Sequence, residues 1–186
     1  MKLIYLIVIM ATCSLCVTAN AGNIRETGNT HAGMMTTDDA AEDSIAHAKA
    51  YDALSRRMFA VEADRLVFKN GETAFVTSTT NFVLLLGENA IIQVAPFPGG
   101  GPNGVGGITV EGKVSNIKMS SDRKHNTTFS MNVMGVGVSA NVTIFLIKGS
   151  NKASAVITPN YNSNIITLNG SLLPAEESDV YKGNAL

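Results

Sequence analysis

The sequence predicts a mainly β protein, an antiparallel sandwich or barrel-like sheet of about eight strands with one N-terminal α-helix. Three observations predict it. From Phe59 onward apolar residues alternate with polar ones at the two-residue period of a pleated strand. Glycine- and asparagine-bearing turns, Asn70-Gly71, Gly87-Glu88-Asn89 and Gly149-Ser150-Asn151, punctuate those runs at hairpin spacing. Asn, Gly, Ser and Thr are plentiful and Trp is absent, a composition of strands and turns.

Residues 1–21 read as a secretory signal peptide. Lys2 is a minimal positive region, residues 3–10 form an apolar core, and Ala19-Asn20-Ala21 supplies an A-x-A cleavage site. The apolar run is shorter than the roughly 20 residues that cross a bilayer, so no transmembrane helix is expected. Cys13 and Cys16 are the chain's only cysteines, and both fall within the leader. Their C-x-x-C spacing therefore has no redox or zinc role in the mature protein. A second route stays open, in which Cys13 becomes a lipid anchor after cleavage in front of it. Residues 22–37 are polar and without periodicity, a flexible lead that carries His31, Met34 and Met35.

The domain proper is expected over residues 38–173, as a single β-rich unit opened by a helix. Thr36 or Thr37 can cap that helix, and Asp38, Asp39, Glu42 and Asp43 crowd its first turns, where the helix dipole favours negative charge. Arg56 and Arg57 close the other end with the complementary sign. Ile45, Ala48, Tyr51, Leu54 and Met58 recur at spacings of three and four and predict the apolar stripe. Asp52 and Arg56 make an i,i+4 pair, and His47 reads as a surface partner of Asp43.

Strands follow. Phe59, Val61 and Ala63 share one face. Residues 79–86 and 90–94 flank a hairpin turn. Ile108, Val110 and Val114 alternate, and then Ile117 and Met119 resume on the opposite phase, which predicts a β-bulge near Ser115-Asn116. Phe129, Met131 and Val133 share a face before a turn at Gly135-Val136-Gly137. In the next strand Val142, Ile144 and Leu146 line one side while Thr143, Phe145 and Ile147 line the other, so both sides are expected to be covered, by a second sheet or the helix. Residues 153–158 and 165–173 complete the set, and residues 174–186 form a polar C-terminal tail.

The chemistry of catalysis is sparse. Between Asn81 and Leu172 the carboxylates are Glu88, Glu111 and Asp122, and the one histidine is His125. Glu88 falls in a hairpin turn and Asp122 in a loop, neither suited to a buried acid/base pair. A paired-carboxylate glycosidase or a zinc hydrolase cannot be assembled from this stretch alone. No G-x-S-x-G elbow occurs. The chain is therefore read as non-enzymatic, without metal or cofactor. A hydrolase with an unrecognised site is the alternative, and a cleft gathering Glu111, His125 and Asp43 would be its mark. The net charge of -1 gives no footprint for nucleic acid. Asp122-Arg123-Lys124-His125 reads as a solvated hairpin tip, and the sequons at Asn126, Asn141 and Asn169 are no more than an Asn-rich chain provides by chance. Residues 96–107 form a proline- and glycine-rich loop without the Gly-Lys-Ser/Thr end of a phosphate loop. As a long surface loop it is the candidate binding element, with Pro96, Phe97, Pro98, Gly99, Asn103 and Gly107 as its site residues.

Several segments carry a resemblance. The chain runs through Phe59-Ala60-Val61-Glu62-Ala63-Asp64, Ala95-Pro96-Phe97, Gly106-Gly107-Ile108 leading to Val110-Glu111-Gly112, Thr128-Phe129-Ser130-Met131 and Ile166-Thr167-Leu168-Asn169-Gly170-Ser171-Leu172. Taken together these resemble a family of exported Bacteroidota proteins known as domain of unknown function 4251. Gly99-Gly100, Ser163 and Leu168 stand where the family has Gly-Arg, arginine and tyrosine, so no site residue is carried over. The resemblance implies a bacterial envelope setting, periplasmic or outer-membrane associated. The functional expectation is a non-catalytic binding module for a small apolar ligand or an envelope protein. A structural or assembly component acting through protein–protein contacts is the alternative.

Overall fold

The alternation that begins at Phe59 curls into a closed ring. A computed structural model describes residues 37–95, 106–136, 138–160 and 164–185, all of which belong to one compact unit, Met35–Leu186. The leader with Cys13 and Cys16, the lead with His31, and the loop residues Pro96, Phe97, Pro98, Gly99 and Asn103 lie outside the described residues. Helix α1 spans Thr37–Arg56. The strands are β1 (Met58–Phe68), β2 (Thr73–Phe75), β3 (Phe82–Leu86), β4 (Asn89–Val94), β5 (Ile108–Ser121), β6 (Thr127–Gly135), β7 (Ser139–Leu146), β8 (Lys152–Pro159) and β9 (Ile166–Pro174). β3 to β9 pair in hairpin order, and β1 joins β3 on one edge and β9 on the other, all antiparallel. Eight strands thus close an up-and-down barrel, and the short β2 is extra. It extends the line of β3 along β1, with Leu66 opposite Ala74 and Val61 opposite Val83.

Closure gives each strand one face in the core and one outside. Val61, Val83, Ile92, Phe129, Met131, Val142, Ile144, Leu168 and Leu172 point inward and are buried. The expected bulge is present. The β5–β6 register slips between Ser115 and Lys118, and Asn116 adopts a positive φ of 52°. One turn later in the chain, Asp122 receives the Asn126 side-chain amide at 2.9 Å and the Asn126 and Lys124 main-chain N–H groups at 2.9 and 2.8 Å. Those bonds, the Asn126 side chain first, hold its carboxyl below the ordinary 3.8. A carboxylate with a depressed folded pKa supports the turn above its unfolded pKa and loses that support as pH falls through the folded value. An NMR titration should therefore show the Asn126 amide signals moving with a midpoint under 3.8, and Asp122→Asn should abolish the transition.

The helix closes one barrel end. Its inward residues are Ala50, Ala53 and Leu54, whereas Ile45 and Tyr51 are exposed and Met58 begins β1. The expected stripe is thus corrected: its run of threes drifts around the axis, and small alanines let the helix sit close to the strand ends. His47 does not pair with Asp43 as expected; its Nδ1 lies 3.0 Å from the Ser150 carbonyl oxygen in the β7–β8 turn. Arg56 bonds Asp52 at 2.6 Å, as the i,i+4 spacing predicts, and also Glu176 at 3.1 Å beyond β9. Lys49 bonds Glu177 at 2.7 Å. Arg57, at φ 58°, donates its N–H to Leu54 and turns the chain directly into β1. The side chains of the capping threonines lie outside the described residues.

Candidate functional site

An eight-stranded barrel is either just wide enough to be filled by its own side chains or able to hold one small ligand. Here β1 and β6 stand four strands apart in either direction, on opposite walls. Their Phe59 and Phe129 rings nonetheless meet edge to face, 5.4 Å between centroids and 83° between planes. Both rings are buried. The two walls touch at that level, and α1 lies across the barrel end beneath it. An apolar ligand has no room there.

The outer wall offers more. Backbone register aligns Phe145, Ser154, Asn169, Arg65 and Phe75 in one row across β7, β8, β9, β1 and β2. At ~4.8 Å per strand the row is about 19 Å long along the sheet. Phe75 is 86% exposed and Phe145 44%, so an aromatic ring stands at each end. Between them Ser154 donates its hydroxyl to Asn169 Oδ1 at 2.9 Å. A cleft of about 510 Å³ opens here, with Arg65, Phe75, Ile147, Lys152, Asn169 and Gly170 in its lining. Ile147 is 55% exposed. Among the described residues the Lys152 ammonium reaches only the Ser171 hydroxyl, at 3.1 Å, and Arg65 forms no ion pair.

This surface corrects the expectation that Thr143, Phe145 and Ile147 are covered. Alternation showed that β7 has two apolar faces, but a closed barrel has no second layer, so the outer one meets solvent. Phe75 was missed because β2 is only three residues long and carries no alternation to read.

The remaining predicted residues are scattered. Gly107 is buried at the foot of β5, where an added Cβ would lie 2.0 Å from the Val94 carbonyl oxygen; close backbone approach, not ligand contact, requires glycine there. Glu111 on the outer wall pairs with Lys182. His125, at φ 63°, sits in the turn beyond the far end of β5, about 30 Å along the strand at ~3.3 Å per residue. Asp43 is on the helix. The fold does not bring these three together. No group of three or more His, Cys, Asp or Glu side chains with metal-binding geometry occurs among the described residues. No helix among them is long and apolar enough to cross a membrane.

The class of protein is then a helix-capped, up-and-down β-barrel with a filled level next to its capped end and an aromatic-flanked row on its outside. The family model described as "Domain of unknown function (DUF4251)" matches residues 41–172, and the chain belongs to that family. It is similar to the crystal structure of a DUF4251 family protein from Bacteroides eggerthii DSM 20697, with 45% sequence identity and a TM-score of 0.66, over 75% of this chain and 95% of that one. No curated protein matches the chain.

Proposed function

We propose that the protein is an exported, non-catalytic binding module that engages a protein partner through the outer wall from β7 to β2. The observation that carries this reading is the register-aligned row ending in the exposed Phe75 and Phe145. Aromatic residues and arginine are the side chains most enriched where protein interfaces hold their binding energy. Arg65 and Lys152, which form no ion pair among the described residues and outnumber the cleft's one acidic side chain, Asp64, suit a partner surface that brings carboxylates of its own. The leader sequence supports export. The contact between Phe59 and Phe129 favours a partner outside over an apolar ligand inside.

A photo-crosslinking phenylalanine analogue placed at position 75, at 145 and at the exposed helix position 45 tests the proposal in the native cell. One adduct of common mass is expected at 75 and 145 and not at 45. Arg65→Glu should diminish it about 10-fold, the effect of losing an interface contact of about 1.4 kcal/mol. Stability should stay within about 0.5 kcal/mol of wild type for Phe75→Ala, since its ring is exposed. Equal adducts at all three positions, or none, would overturn the reading.

A further inference from the structure

Gln93 sits at the end of β4 on the outward phase, paired in register with Phe82, and both are completely buried. The chain's own C-terminal segment supplies partners for it. The Gln93 Nε2 donates to the Tyr181 carbonyl oxygen at 2.8 Å, and the Gly183 N–H donates to Gln93 Oε1 at 2.7 Å. A carbonyl and an amide flanking one residue, Lys182, are what a neighbouring strand presents in a parallel β-bridge. The glutamine carboxamide stands in for the peptide group on the other side. Its orientation is fixed from below, because Nε2 also donates to the Thr80 carbonyl oxygen at 3.1 Å and Oε1 also accepts from the Thr109 hydroxyl at 2.8 Å.

The flanking contacts extend the same slot. The Tyr181 N–H donates to the Thr79 carbonyl oxygen at 2.8 Å, the Ser178 hydroxyl donates to Glu62 at 2.7 Å, and Lys182 pairs with Glu111. Tyr181 as a residue is 63% exposed. Among the described residues the slot therefore bonds main chain at 181 and 183, and side chains as a hydroxyl at 178 and a cation at 182. Recognition of that kind does not depend on the strap being tethered to the same barrel.

We infer that the outer face of β3, β4 and β5 is a peptide-binding slot, filled in cis by residues 178–185 and able to take an extended peptide from another chain. The peptide it fits has a hydroxyl residue four positions before a lysine or arginine, with free backbone groups on both sides of that cation. The slot lies on a different wall from the aromatic row, and either reading can fail without the other.

The test uses the full-length chain. Gly183→Pro removes the amide that reaches Gln93 and unseats the strap, and a fluorescent peptide of residues 178–185 serves as probe. The peptide is expected to bind Gly183→Pro at least 10-fold more tightly than wild type, and Gln93→Leu in that background should remove the binding. No binding to Gly183→Pro, or binding unaffected by Gln93→Leu, would overturn the proposal. Should Gly183→Pro fail to fold, native-state hydrogen exchange on wild type decides. The Tyr181 and Gly183 amides should exchange at least 100-fold faster than those of Met131 and Val142 in the barrel wall. Equal rates would mean that the strap opens only when the barrel unfolds, and the slot would then be closed to any other chain.

Discussion

Phe59→Ala is expected to lower the free energy of unfolding by about 3–5 kcal/mol, the range for deleting a fully buried aromatic ring. The ring is completely buried and meets Phe129 from the opposite wall. Strands held in a closed ladder cannot move inward to refill the space, so the cavity remains. The edge-to-face contact adds about 0.5–1.5 kcal/mol beyond the area buried. A double-mutant cycle with Phe59→Leu and Phe129→Leu, read by urea denaturation, should thus give a coupling energy of about 0.5 kcal/mol or more. A loss under about 1 kcal/mol for Phe59→Ala would show that the two walls do not depend on this contact.

Gly170→Ala is expected to cost at least as much as the worst ordinary overpacking, about 3 kcal/mol, and to reduce folded yield. Gly170 pairs with Ala63 on one side and Ala153 on the other. A Cβ there would lie 1.9 Å from the Glu62 carbonyl oxygen and 2.8 Å from the Ala63 Cα. Both obstacles are backbone, so no side chain can swing aside. The position also adjoins the register shift between Ala63 and Arg65, where β1 bends to meet β9 and close the ring. Ser171→Ala, one residue on, should stay within about 0.5 kcal/mol in the same melting experiment. If Gly170→Ala melted with it, the closing seam would be looser than the geometry states.

Much of the fold could be read from local pattern. The phase break between Val114 and Ile117 located the bulge, because a pleated strand permits no other way to return Ile117 and Met119 toward the core. The turns at Gly71, Gly87 and Gly149 each have the positive φ that their glycines predicted. The resemblance carried by short motifs proved to be family membership over residues 41–172. The surfaces were harder. A sequence shows that Phe145 and Ile147 are apolar, but not whether a layer lies above them. Gln93, a lone amide in the run Ile91-Ile92-Gln93-Val94, was the one local sign of the strap slot, since an amide in an apolar strand needs partners when buried.

The amino-acid order by itself set the strand phases, the turns, the bulge and the helix, all of which follow from steric preferences and burial within a dozen residues of chain. Tertiary structure alone decided barrel over sandwich, because the β1–β9 pairing that closes the ring joins residues about 100 positions apart and leaves the same alternation in either fold. That single closure removed the second layer, exposed the aromatic row and laid the C-terminal segment against Gln93.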